Sequence, residues 1–280
     1  MLAVDFIEHL RASGKKIGEQ YGYLLRNFEE WLKQRGRNLD DFSATDVEEF
    51  MQKLNRGTAN VFLAAVRKYA RFRASIADDS SFVFEDRRYH ALEEIKYRKI
   101  PRRIEKKSLT PEEVRKLIEL TEDDVVLQAG VVTAFYFGWR PIEAIEKFHN
   151  AKIRWNKRYM VLQTAKSGDE RLLPWHRAIT PYLKTWHRSL GEILMLRNYD
   201  EWLTKKLKAY QKPLGFPVTA RTARRTFETQ MKKAGVEQWK IDFLMGHAVR
   251  IPDVYSDWTE LLDDLREVME RRHYLLGVIG

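Results

Sequence analysis

Apolar residues recur at helical spacing through most of the first 95 positions. Tyr21, Leu24, Leu25, Phe28, Trp31 and Leu32 form one stripe, and Gly36 follows it as a stop. Thr45 with Glu48 three residues on reads as a capping box opening a second helix, with Val47, Phe50, Met51 and Leu54 on its inner face. A third helix turns Phe62, Val66, Tyr69 and Phe72 inward. Its other side carries Arg67, Lys68, Arg71 and Arg73, which suit either a solvated stripe or contacts to a polyanion. The pattern then lapses into KYRKIPRRIEKK over residues 96–107, broken by Pro101. Directly after it, Thr110 supplies an N-cap, Pro111 fits the first helical position and Glu113 completes a capping box, so a domain boundary is expected near residue 100.

Beyond that boundary the periodicity switches twice. Short β-prone runs, Lys152–Trp155, Tyr159–Leu162 and Arg171–Pro174, are separated by the turn residues Asn156 and Ser167-Gly168-Asp169, which predicts a small antiparallel sheet. Helical patterns occupy 178–197, 221–234, 237–245 and 258–275. The expected fold class is mainly α with a small antiparallel β-sheet, in two domains. No internal repeat or low-complexity segment interrupts it.

Charge changes this picture by its placement. Residues 1–95 carry 15 basic and 16 acidic groups, whereas 96–107 carry 7 against 1 and 151–250 carry 21 against 8. The overall +10 is therefore concentrated in one connector and one block, which favours a polyanionic partner over general solubilisation. With 8 Trp, 12 Tyr and 14 Phe, the chain is not a disordered polyelectrolyte. It has no cysteine, which excludes disulfides, thiolate zinc sites and thiol catalysis. No apolar run reaches membrane-spanning length, and Asp5 and Glu8 interrupt the first apolar stretch, so no signal peptide is read there. A soluble, intracellular protein is expected. The acids of 151–250 are scattered without ligand spacing, and no Gly-rich phosphate loop is present, so a metal nuclease and an NTPase are both disfavoured.

Four stretches carry candidate chemistry: Phe137-Gly138-Trp139-Arg140-Pro141-Ile142-Glu143, the run Thr164 to Pro174 with Lys166 in its turn, Arg221-Thr222-Ala223-Arg224-Arg225, and Leu244-Met245-Gly246-His247 followed by Tyr255. Singly each has an ordinary reading. Arg140 can pair with Glu143, Lys166 can be a solvated turn residue, and the arginines of 221–225 can be a basic helix face. His247 can be a helix-end histidine and Tyr255 a core tyrosine. In this order, however, the set resembles the tyrosine recombinase (phage integrase) family over nearly the whole chain. The resemblance implies catalytic roles for Arg140, Lys166, Arg221, Arg224 and His247, with Tyr255 as nucleophile. Two features depart from the family pattern. Arg221 stands where many members have His, as in some archaeal viral integrases, and His247 precedes Tyr255 by eight residues rather than nine.

Such a set suits attack on a phosphodiester. Planar guanidinium groups match the equatorial oxygens of a phosphorane, surrounding positive charge favours the tyrosine phenolate, and a lysine can protonate the leaving 5′-oxygen. Cations of this kind remove the need for a metal or other cofactor, and a phosphotyrosine conserves the bond for religation without ATP. The resemblance implies a helical, core-binding N-terminal domain (1–95), a basic linker (96–107) and a catalytic domain (108–280) clamped on double-stranded DNA. It also implies assembly to a tetramer on paired sites. A non-enzymatic, sequence-specific DNA-binding protein, a repressor or architectural factor, is the alternative. The acidic tail, with Trp258, Leu261, Leu262, Leu265, Val268 and Met269 at helical spacing, is expected to dock on a neighbouring protomer, its rival being packing on its own domain.

Overall fold

The computed structural model describes residues 6–10, 18–77, 81–100, 108–165, 168–247 and 257–279. The chain divides into two units, Met1–Ile104 and Glu105–Gly280. In the first, helices α1 (Gly18–Lys33), α2 (Ala44–Gln52), α3 (Arg56–Ile76) and α4 (Phe82–Glu94) surround a core of aromatic rings. Phe28 sits at its centre, with the rings of Trp31, Phe42, Phe50 and Phe62 at 5.8, 5.6, 5.2 and 5.1 Å. Edge-to-face and tilted pairs of this kind stabilise a core beyond the area they bury.

Helix α2 starts earlier than Thr45. Ser43 is its N-cap, accepting from the amide of Asp46, whose carboxylate in turn accepts from the Ser43 amide at 2.7 Å. Asp46 also pairs with Arg37 at 2.5 Å, and this doubly engaged carboxylate fixes the start at Ala44. The stripe expected on α3 is also divided. Arg67 donates to the carbonyls of Leu92, Glu93 and Ile95, closing the end of α4, and Arg73 pairs with Asp40 and Glu85. Lys68 and Arg71 stay exposed. Five residues of the basic connector, 96–100, run along the first unit, where Asn60 exchanges hydrogen bonds with the backbone of Arg98.

The second unit forms around α6 (Val125–Phe137), buried almost all round from Leu127 onward, as its uniformly apolar sequence requires. Helix α5 (Pro111–Leu120) opens with the expected capping box of Thr110 and Glu113. Strands β1 (Lys152–Arg154), β2 (Tyr159–Gln163) and β3 (Glu170–Pro174) form an antiparallel sheet in sequential order, with Tyr159 opposite Pro174 and Gln163 opposite Glu170. Helices α7 (Thr180–Leu194), α8 (Trp202–Leu207), α9 (Ala220–Lys233), α10 (Gln238–Met245) and α11 (Trp258–Glu267) complete it.

The tail corrects one expectation. Leu261, Leu262, Leu265, Val268, Met269 and Leu275 are all buried, and all but Leu262 belong to the continuous core of their own unit. Tyr136 donates to the carbonyl of Met269 at 2.8 Å, and the ring of His273 stacks on Tyr136 with centroids 4.1 Å apart. The apolar stripe assigned to a neighbouring protomer is thus already covered in cis, except for Trp258, which stays 55% exposed. Regular helix also stops before residue 275: Val268–Arg272 form a π turn, after which His273 is extended.

Candidate active site

Arg140 is placed by the end of α6. Gly138 closes that helix at φ 56°, where a Cβ would come within 2.7 Å of the Phe227 ring, so glycine is required on both counts. Trp139 then packs between Phe137 and Phe148, and Arg140 emerges half-buried at the surface. Its amide and its Nη1 donate to the two carboxylate oxygens of Glu143 at 2.9 and 2.7 Å. Glu143 opens a π turn (Glu143–Lys147) and is fully buried. Its carboxylate also accepts from the Ala165 amide at 3.1 Å and from Arg171 Nη2 at 2.9 Å. Burial alone pushes this carboxyl up, but Arg171 and the converging donors outweigh it and hold the group below the ordinary carboxylate range.

Arg224 reaches the same place from α9, which Thr219 caps by accepting from the Thr222 amide. Its Nη1 donates to the Gly138 carbonyl at 2.8 Å, one of the acceptors that the end of α6 leaves free, and its Nη2 lies 2.8 Å from His247 Nε2. His247 follows Gly246, the αL residue ending α10, and its Nδ1 lies 2.8 Å from Asp242 Oδ1. A guanidinium can only donate, so Nε2 accepts from Arg224 and Nδ1 carries the hydrogen given to Asp242. Burial raises the Asp242 carboxyl, yet the hydrogen bonds from His247 and Gln238 bring it below its usual range. Arg224 is drawn down to about 10 by burial first and then by the positive charge of Arg140. Arg224 still carries its full charge at neutral pH.

Three of the six residues singled out in the sequence therefore meet: Arg140, Arg224 and His247. Arg221, one turn before Arg224, is exposed and has no hydrogen-bond or ion-pair partner among the described residues. Lys166 and Tyr255 lie outside the described residues. The sequence reading gave no role to Glu143 beyond a partner for Arg140, and none to Arg171 or Asp242. The signal for Asp242 was available, since the turn at Gly246 folds His247 back on the residue five before it.

A model of the phage integrase N-terminal SAM-like domain matches residues 4–75. Across the whole chain the sequence is 26% identical to the tyrosine recombinase XerA of Pyrococcus furiosus, covering 99% of this chain and 95% of that protein. The chain is thus similar to tyrosine recombinases along nearly its whole length. A second relative, a tyrosine recombinase of Thermosipho africanus, is 22% identical over 87% of this chain and 88% of its own length. In fold, the chain is similar to a lambda integrase dimer bound to a COC' core site (TM-score 0.62, 13% identity, 91% and 98% of the two chains). It is also similar to XerH bound to difH substrate in a pre-cleavage complex (TM-score 0.58, 15% identity, 89% and 74%).

What the site offers a ligand follows from its charge. Arg140 and Arg171 pair with one buried carboxylate, Arg224 is held by the Gly138 carbonyl and His247, and Asp242 is engaged by His247, so positive charge is in excess and two of the three guanidiniums retain access to solvent. That arrangement favours an anion. Among the described residues, no group of three or more His, Asp or Glu could hold a metal ion. Among them, too, no helix is long and apolar enough to cross a membrane.

Proposed function

We propose that this site-specific recombinase cuts and rejoins DNA through a 3′-phosphotyrosine, with Arg140 and Arg224 bound to the scissile phosphate. The observation carrying this reading is the pairing of those guanidiniums at the surface, drawn from two elements and held against mutual repulsion by the end of α6 and by Glu143. A phosphate placed between them relieves the repulsion, and the extra charge of a phosphorane relieves it further.

In the proposed reaction the Tyr255 oxygen attacks phosphorus, losing its proton to His247 or to water. The P–O5′ bond breaks, and Lys166 gives a proton to the departing 5′-oxygen. Attack by a 5′-hydroxyl on the phosphotyrosine reverses the sequence, so neither ATP nor a metal is consumed or required. Arg221, exposed on the same helix as Arg224, adds positive charge along the approaching backbone. Double-stranded DNA is the substrate. Strand exchange needs paired sites, and we infer a tetramer like that of lambda integrase on a Holliday junction, a fold relative with a TM-score of 0.62.

Replacing the 5′-bridging oxygen by sulfur tests the acid. Lys166→Ala should cleave an ordinary site slowly and the sulfur-bridged site at near wild-type rate, in excess chelator as well as in magnesium, because a thiolate departs unprotonated. Failure of the rescue removes Lys166 from that role, and loss of cleavage in chelator restores the metal nuclease.

A further inference from the structure

Arg171 is almost wholly buried, at 2% exposure, and the reaction proposed above gives it nothing to do. Its Nη2 donates to Glu143 at 2.9 Å and its Nη1 to the carbonyl of Leu244, near the end of α10. Its Nε is buried with no partner among the described residues. Burial draws the guanidinium down to about 10, with Glu143 opposing that shift and Arg140 adding to it. The neighbouring chain is fitted around it: a Cβ at Gly246, the residue before His247, would stand 2.7 Å from Arg171 Nη1.

The location of these contacts gives them meaning. Arg171 lies on β3 and Ala165 stands two residues past Gln163, the end of β2, so the pair flanks the turn that carries Lys166. Both flanks are tied to one carboxylate, through the Ala165 amide on one side and the Arg171 side chain on the other. That same carboxylate holds the amide and the guanidinium of Arg140. A loop anchored on one side only would swing about its anchor, whereas two anchors on a buried group fix its base relative to the phosphate-binding arginine.

We propose that Arg171 is a positioning residue which, with Glu143, fixes the stems of the Lys166 turn against Arg140, coupling proton delivery to phosphate binding. The inference rests on the reading of Lys166 as general acid. It makes a demand that simple stabilisation does not: a defect at Arg171 should be a defect in protonating the leaving group.

The test compares wild type, Lys166→Ala and Arg171→Lys in single-turnover cleavage of ordinary and sulfur-bridged sites. Lysine keeps the charge but has no planar fork and cannot span both acceptors. Arg171→Lys should cleave the ordinary site about 100-fold more slowly than wild type and the sulfur-bridged site within about 3-fold of it, while binding DNA within about 3-fold. Rescue of Lys166→Ala without rescue of Arg171→Lys overturns the inference alone, as does wild-type cleavage of the ordinary site by Arg171→Lys. Failure to rescue Lys166→Ala overturns the reading beneath it. If Arg171→Lys does not fold, Arg171→Gln, which leaves Glu143 in place to hold Arg140, carries the same comparison.

Discussion

Removing residues 258–280 should unfold the second unit and leave the first intact. The deletion strips six buried apolar side chains, Leu261, Leu262, Leu265, Val268, Met269 and Leu275, from the core or its border. At about 1.5–3 kcal/mol for each such side chain, the loss is roughly 9–18 kcal/mol. That is an upper estimate, since unfolded chains already bury part of this surface. Even half of it rivals the 5–15 kcal/mol, approximately, that holds an ordinary domain together. The deletion also takes away the Met269 carbonyl that accepts the Tyr136 hydroxyl, orphaning a buried donor at a further cost of about 1–3 kcal/mol. Differential scanning calorimetry of residues 1–257 should show the transition of the first unit and none attributable to 105–257. The milder Leu265→Ala should cost about 2–5 kcal/mol and keep the fold. A truncated protein that melts as cooperatively as the full chain, but fails to assemble on paired sites, would refute this reasoning and return the tail to a neighbouring protomer.

Arg140→Ala and Arg224→Ala should each slow cleavage by about 100-fold or more while changing DNA affinity only a few-fold in a filter-binding assay, since many other cations contribute to affinity. His273 provides a stability test. Burial holds its ring down to about 3, so it folds neutral while the unfolded chain takes up a proton below about 6.5. Stability from this group is complete above pH 6.5 and declines by about 1.4 kcal/mol per unit as pH falls toward 3. Urea titrations from pH 7 to 4.5 should show that slope in wild type and its loss in His273→Gln, which can keep both hydrogen bonds without titrating. Affinity for a DNA site should fall about a thousandfold or more between 50 and 200 mM salt, as expected for roughly six phosphate contacts, and a flat response would place these cations in solvent.

The parts of this fold that were legible in the sequence are those where one local rule decides. The capping box at Thr110 and the three β-prone runs needed no tertiary information. Helix α4 shows the opposite case. Phe82, Val83 and Phe84 are about half exposed while Glu85 and Arg88 are buried against Arg73, Asp40 and Phe42, so its polarity is inverted and periodicity could not orient it. The start of α2 was misplaced because Asp46 gains a partner, Arg37, from outside the helix. In the site, Arg140, Arg224 and His247 were found by their order along the chain. Arg171 and Asp242 were not, because their roles depend on a strand and a helix end meeting Glu143 and His247 in space. The tail stripe was read correctly as apolar, but an apolar stripe does not say which molecule covers it.

Covalent capture tests the central claim most directly. On a duplex nicked so that the 5′-fragment diffuses away after cleavage, the full chain should form an adduct stable to denaturing electrophoresis, with the DNA joined to the peptide containing Tyr255. The Tyr255→Phe protein should bind the same duplex with unchanged affinity and form none. An adduct that persists in Tyr255→Phe would contradict the assignment of the nucleophile. Tight binding by the full chain with no adduct under any condition would contradict the enzyme itself and leave a DNA-binding protein that does not cut.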